Sequence, residues 1–384
     1  MSRFEVPVAR VRAVEPIPNA DRIELAVIGD YRSVVPKGKV VQGDLVAYLP
    51  EAALVPDWII DHLGLQGKLA GPERNRIKAI KLRSTVSQGI VLTVTREAER
   101  ACLATPDGML PVEEGMDLAG PLGIRKYEPP VPTHMAGEVT ALFGRVVPYD
   151  IENLKKYPDL LQPGEPVAIT EKIHGTFCEF GNIPGLGHPE LIGGDSFAAS
   201  KGLGAKGLVF KDNPANAANL YNRAFHSFGS DGGPDLRDRL LSLRGRGTFA
   251  AAGIDASTPL YLMGEVFGEG VQDLTYGVRG TVFRGFDAYL GAPGRGRFLD
   301  FSEKQDLFGE LGIDMVPVLY RGPWDKAVAD GLKEGRTTLN GGACVREGGV
   351  ITPQNERVTA EIGRLILKHV GDGYLMRKDG TEYV

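Results

Sequence analysis

Between Gly120 and Val139 the chain reads GPLGIRKYEPPVPTHMAGEV. Proline fixes φ and lacks an N–H, and glycine opens the backbone to turns, so neither a helix nor a sheet ladder runs through such a stretch. The chain must therefore build one folded body before it and another after it. At 384 residues there is material for two cores. The spacing predicts domains over residues 1–120 and 149–384, joined by a linker at 121–148.

The first part reads as short strands between turns: VPVARVRAV, KVVQGDLVAYLP, RIKAIKLR and QGIVLTV are rich in Val and Ile, and PDWIIDHLGL offers one short helix. Several short strands with one interposed helix suggest a small barrel, of which the OB-fold fits best. Net charge is −5, which excludes a uniformly basic nucleic-acid coat but allows a local stripe. RNRIKAIKLR supplies one: Arg74, Arg76, Lys78, Lys81 and Arg83, the first three at alternate positions that would share a strand face. Two readings stay open, a charge-blunted edge strand and a surface that tracks phosphates.

In the second part, YDIENLKKYPDLL, NPANAANLYNRAFHSF and GPDLRDRLLSLRGRG read as helices. FSEKQDLFGELG reads as another, with Ser302 and Gln305 forming a capping box. Strands alternate irregularly with them, so the whole is an α+β protein. Nothing reaches the roughly eighteen apolar residues of a membrane helix, and the charged start MSRFEVPVAR is unlike a signal peptide, so a cytoplasmic protein is expected. Cys102, Cys178 and Cys344 are odd in number and far apart, which argues against a disulfide framework.

Ionisable and aromatic residues recur at the edges of apolar strands. Lys172 follows PVAIT in EKIHGTF; Glu265 ends an apolar run in YLMGEVFGEG; Phe286 and Asp287 close VFRGFD; Glu347 precedes two glycines in REGGVI; Lys368 sits in the aliphatic RLILKHV. Each alone is more often structural. As an ordered set of lysine, acid, aromatic, acid and lysine, they resemble the covalent nucleotidyltransferases: ATP-dependent DNA and RNA ligases and mRNA-capping guanylyltransferases. EKIHGT, with His174 in its third place after the glutamate, is similar to the nick-sealing RNA ligases of the phage RNA ligase 2 branch and their bacterial relatives. GEVFGEGVQDLTYG and the two spaced aromatics of FRGFD extend the likeness. An N-terminal barrel followed by VVPYDIENLKKYP resembles the bacterial and protist ligases that carry an added OB domain.

The resemblance implies an antiparallel nucleotidyltransferase domain, ATP with Mg²⁺ or Mn²⁺ as cofactors, and RNA or an RNA-containing nicked duplex as partner, handled by a monomer. It makes Lys172 the AMP-accepting nucleophile and Glu347 the metal ligand. Glu171 would accept from the adenine amino group, Glu265 contact the ribose and Phe286 stack on the base, while Ile173, His174, Gly175, Lys201 and Lys368 complete the nucleotide site. A lysine is only about 0.1% neutral near pH 7.4, so a nucleophilic Lys172 requires its pKa to be lowered. Gly175 would admit a close backbone approach. His174 would hold the ribose or satisfy a buried contact. Two departures stand out: Lys201 occupies a place where the family has arginine, losing the bidentate fork, and Val370 stands where a second lysine belongs, with Arg364, Arg377 or Lys378 as substitutes. A capping or DNA-ligase-type enzyme and an inactive OB protein are the competing readings.

Overall fold

The computed structural model describes residues 4–83, 85–97, 100–230, 232–244, 255–377 and 380. Lys378 lies outside them. The chain divides into two compact units, one of residues up to Glu128 together with Glu152–Leu160, the other of Pro129–Ile151 and Leu161 onward.

Residues 4–94 of the N-terminal unit form two three-stranded antiparallel sheets. Val8–Arg10, Leu45–Leu49 and Ile90–Thr93 form one, and Ala13–Pro16, Ile23–Ile28 and Tyr31–Pro36 the other. Val8, Ala47, Leu49 and Leu92 close over the helix residue Ile59 in one apolar cluster. That helix, Asp57–Leu63, stops at Gly64, which adopts φ 62° to turn the chain. Of RNRIKAIKLR, only Ile80–Leu82 is a regular strand. Arg74 lies in a turn with φ 54°, and the Arg76 guanidinium sits 3.7 Å from the centre of the Tyr127 ring. The expected shared strand face of Arg74, Arg76 and Lys78 therefore does not form: the turn at Arg74 breaks the alternation before it begins.

YDIENLKKYPDLL also departs from expectation. It forms no helix: Glu152–Asn153 is a short strand, and the amides of Lys156 and Tyr157 close a single turn onto Asn153 before Pro158 ends it. Within the N-terminal unit this turn buries Leu154 and Lys155, and the Lys155 ammonium donates to the Gln88 side chain.

The C-terminal unit holds two large antiparallel sheets. One orders Ser196–Ser200, Thr176–Asn182, Leu260–Gly268, Thr281–Leu290 and Arg297–Phe298; the other includes Leu367–Val370, Gly348–Pro353, Pro166–Lys172 and Val318–Pro323. Val139–Ala141 pairs with Leu208–Phe210. Helices Leu220–His226, Leu236–Leu243 and Phe301–Leu311 pack Phe225, Leu240 and Phe308 into the largest core cluster. The last of these helices starts two residues before the expected box: Asp300 is the N-cap, and Glu303 Oε2 accepts from its amide at 2.8 Å. Ser302 is left exposed on the first turn.

Candidate active site

The lysine strand Pro166–Lys172 lies between two partners, with Lys172 opposite Gly348 and Thr170 opposite Val350. On the next strand Val350 faces Lys368. Because side chains alternate along a strand, Thr170, Lys172, Val350 and Lys368 share one face, and all four line a cavity of about 210 Å³. The other sheet supplies Phe177, Glu265, Phe286 and Asp287 to the same cavity.

Phe286 and Asp287 are sequence neighbours and would ordinarily point to opposite faces. The register shifts at this point, Met263 pairing with Asp287 but Gly264 with Gly285, so Phe286 is the extra residue of a bulge. A bulge re-aims side chains, and here it brings both toward the cavity. Asp287 is fully buried. It accepts from the Tyr149 hydroxyl at 2.8 Å and pairs with Lys304 at 3.2 Å and Arg364 at 2.7 Å. Burial opposes its charge, but these two cations outweigh it and hold its pKa below the ordinary carboxylate range.

Lys172 Nζ lies 2.8 Å from Glu347 Oε1. Burial works against the ammonium, yet Glu347 and then Glu265 prevail and the Lys172 pKa is raised. The expected depression is thus absent in this arrangement, since the carboxylate that would serve a metal instead serves the lysine. Lys368 behaves as expected of a cation beside cations: burial, then Lys172 and Lys201, pull its pKa down to about 8. Glu265 is pushed up to about 8 by burial and by Glu347, against the pull of Lys172. Lys201 also lines the cavity and pairs with Asp150 at 2.8 Å.

Glu171 is buried with one oxygen committed. Oε2 accepts from the Thr338 amide at 2.9 Å and its hydroxyl at 2.8 Å, whereas Oε1 is buried without a hydrogen-bond partner. Glu347 is similar, its Oε2 also lacking one. Glu171 lines the cavity and Glu347 does not, but a buried carboxylate oxygen without a partner is costly in either place unless something else satisfies it. The Glu347 oxygen fits a divalent cation. Among the described residues no group of three or more His, Cys, Asp or Glu is placed to hold a metal, so such an ion would take most of its ligands from water and phosphate, as Mg²⁺ commonly does.

Ile173 lines the cavity, but His174 and Gly175 do not. The His174 ring lies between Asp273, 2.9 Å from Nε2, and the Tyr374 hydroxyl, 2.9 Å from Nδ1. Its backbone amide donates to the Tyr276 hydroxyl. Burial lowers its pKa, with Arg377 adding to the effect and Glu347 opposing it. Of the two roles considered for His174, the buried polar contact is the one seen. Gly175 does permit a close approach, but by the neighbouring strand: a Cβ there would stand 2.3 Å from the Val266 carbonyl oxygen. Neither Arg364, committed to Asp287 and Glu356, nor Arg377, committed to Asp273, lines the cavity. The place at Val370 is not refilled by either.

Sequence reasoning missed Tyr149, Phe177, Val350 and Lys304, which also line the cavity. Lys304 alone carried a signal. It lies on the stripe Phe301, Lys304, Leu307, Phe308 and Leu311 that its helix buries, a position where lysine needs a partner.

The residues that carry this geometry coincide with a known family. Residues 165–370 match the RNA ligase family. This chain belongs to the RNA ligase family. The N-terminal unit of this RNA ligase matches an OB-fold domain over residues 6–94. Among solved structures, it is similar to Naegleria gruberi RNA ligase with PPi, at 20% identity and TM-score 0.70, covering 97% of this chain and 98% of that one. A mutant of that ligase with ATP and Mn matches at 18% identity and TM-score 0.68, with the same coverage. At such identity the likeness is one of fold. No curated protein matches. No helix among the described residues is long and apolar enough to cross a membrane.

Proposed function

We propose that this RNA ligase uses ATP to join a 3′-hydroxyl end to a 5′-phosphate end, at nicks in RNA-containing duplexes, with one chain holding every residue of the nucleotide site. The carrying observation is that Lys172, Lys368, Phe286 and Glu171 line one cavity, with one Glu171 oxygen lacking a hydrogen-bond partner. Phe286 offers a π-face to a base. The free Glu171 oxygen accepts from an exocyclic amine, which adenine presents at its six-position and guanine does not. This favours ATP over GTP.

In the first step Lys172 Nζ attacks the α-phosphorus, a P–N bond forms, the bond to the bridging oxygen breaks, and pyrophosphate leaves. Lys172 must give up a proton first, and its ion pair with Glu347 opposes this. Glu347 would hold a divalent ion, which when bound would supply positive charge against this opposition and toward phosphate oxygens. Lys368 and Lys201 hold the transferring phosphate by charge, while Glu265 contacts the ribose. AMP then passes to the 5′-phosphate, and the 3′-hydroxyl attacks that activated end, expelling AMP. Charge on the N-terminal unit, at Arg74, Lys78, Lys81 and Arg83, grips the nucleic acid.

The test is label transfer. Incubated with α-labelled ATP or GTP and Mg²⁺ or Mn²⁺, the protein should become labelled from ATP alone. Lys172→Ala should abolish the label, and Lys172→Arg should too, because guanidinium stays protonated. An adduct formed by either variant would sink this reading.

A further inference from the structure

Phe143 is 74% exposed, and of the large hydrophobic side chains exposed among the described residues it is the sole aromatic. Single exposed hydrophobics are ordinary, but this one is rigidly presented. Leu142 and Val146 on either side of it are buried in a common cluster. The turn between them closes by Arg145 N–H donating to the Leu142 carbonyl at 3.0 Å, with Gly144 at φ 69°. On its inner side the ring lies over Gly207, where a Cβ would come 2.8 Å from Phe143 Cδ1, and Leu142 N–H donates to the Gly207 carbonyl at 2.8 Å. The outer side of the ring is left to solvent.

Charge accompanies it. Arg145 follows in the same turn and Lys206 precedes Gly207; both are exposed. Nearby Lys201 and Lys211 are held by Asp150 and Glu190, but among the described residues no carboxylate pairs with Arg145 or Lys206. The turn also borders the active site. Val147, Gly204 and Ala205 line a small cavity together with Tyr149, Phe177 and Lys201, and those last three line the nucleotide cavity as well. An exposed aromatic face flanked by two cations, on a turn whose next residue lines the cavity adjoining the nucleotide cavity, is an arrangement that binds a nucleic-acid strand by stacking and charge.

We infer that Phe143 stacks on a base of the RNA strand at its reactive end, and that Arg145 and Lys206 hold the adjoining phosphates. This rests on the proposed ligase function and adds a docking site for the polynucleotide outside the nucleotide cavity. The probe is a 5′-phosphorylated RNA strand, intact or with abasic positions next to the phosphate, measured for affinity and for sealing across a salt titration. Phe143→Ala should weaken binding of the intact strand about five- to hundredfold, Phe143→Trp should retain it, and the abasic strand should bind both proteins alike. Arg145→Gln with Lys206→Gln should flatten the dependence of log K on log salt by about 1.4. Lysyl-AMP formation should be unchanged in every variant. Overturning results are equal binding and sealing by Phe143→Ala and the parent protein, or an equal loss on intact and abasic strands. Absence of a lysyl-AMP adduct in the parent protein would instead overturn the ligase reading, and is visible separately.

Discussion

Lys172 and Glu347 hold each other at 2.8 Å, and the carboxylate favours the charged form of the lysine. If Glu347 serves a metal during catalysis, Glu347→Gln removes one preorganised charge contact, and metal-dependent adenylylation should fall on the order of 10²-fold. The check is the adenylylation rate across a metal titration, where an unchanged curve would make Glu347 purely structural. Glu265 permits a test of the site's electrostatics without any ligand. Its folded pKa of about 8 lies above the ordinary 4.5. The unfolded chain therefore releases this proton first, and stability should decline as pH rises between those values. In Glu265→Gln that part of the decline should vanish. Thermal melts of the ATP-free protein at pH 5 and pH 8 measure it, and an identical loss in both proteins would place the ionisation elsewhere.

Elements were legible where local rules sufficed. The apolar run PVAIT, then a charged end, is the strand Pro166–Lys172, and PDWIIDHLGL is the helix Asp57–Leu63 closed by Gly64. The helix after Leu299 was legible in place but not in its cap, because DFSEKQ offers two overlapping boxes. Asp300 with Glu303 is the pair that forms. Accordingly Asp300→Ala should cost about 1 kcal/mol in urea denaturation, and Ser302→Ala only a few tenths. Equal effects would show that the cap contributes nothing distinctive. The helix read into YDIENLKKYPDLL had suitable periodicity, but Pro158 limits it to one turn, and burial of Leu154 and Lys155 outweighed the helical preference.

On the scale of the molecule, the two units are not cut by a single crossing of the chain, since Glu152–Leu160 groups with residues before Glu128. Dissecting their roles is therefore better done by charge than by truncation. Arg76 packs on Tyr127 and Arg83, although exposed, donates to the Asn19 carbonyl, so Arg74, Lys78 and Lys81 are the three charges whose replacement disturbs the fewest contacts. Replacing these three by Gln in the full chain should reduce the salt slope of nicked-duplex binding by about 2.7 and leave lysyl-AMP formation intact. An unaltered slope would make RNRIKAIKLR a solvated surface.

What the sequence determined by itself was the set of chemical groups and the strands that carry them. Lys172, Glu347 and Lys368 each sit at a strand end or within an apolar run, and the pattern of a strand is a local property. What only tertiary structure decided was which of those groups meet. The bulge that brings Phe286 and Asp287 to one side depends on pairing with Met263 and Gly264. The turning of His174 toward Asp273 and Tyr374 depends on residues about 100 and 200 positions away. Even the charge state of Lys172 depends on a carboxylate 175 residues along the chain. Register and long-range Coulomb contacts exist only once the sheets are assembled, and a single stretch of sequence contains no record of its partner.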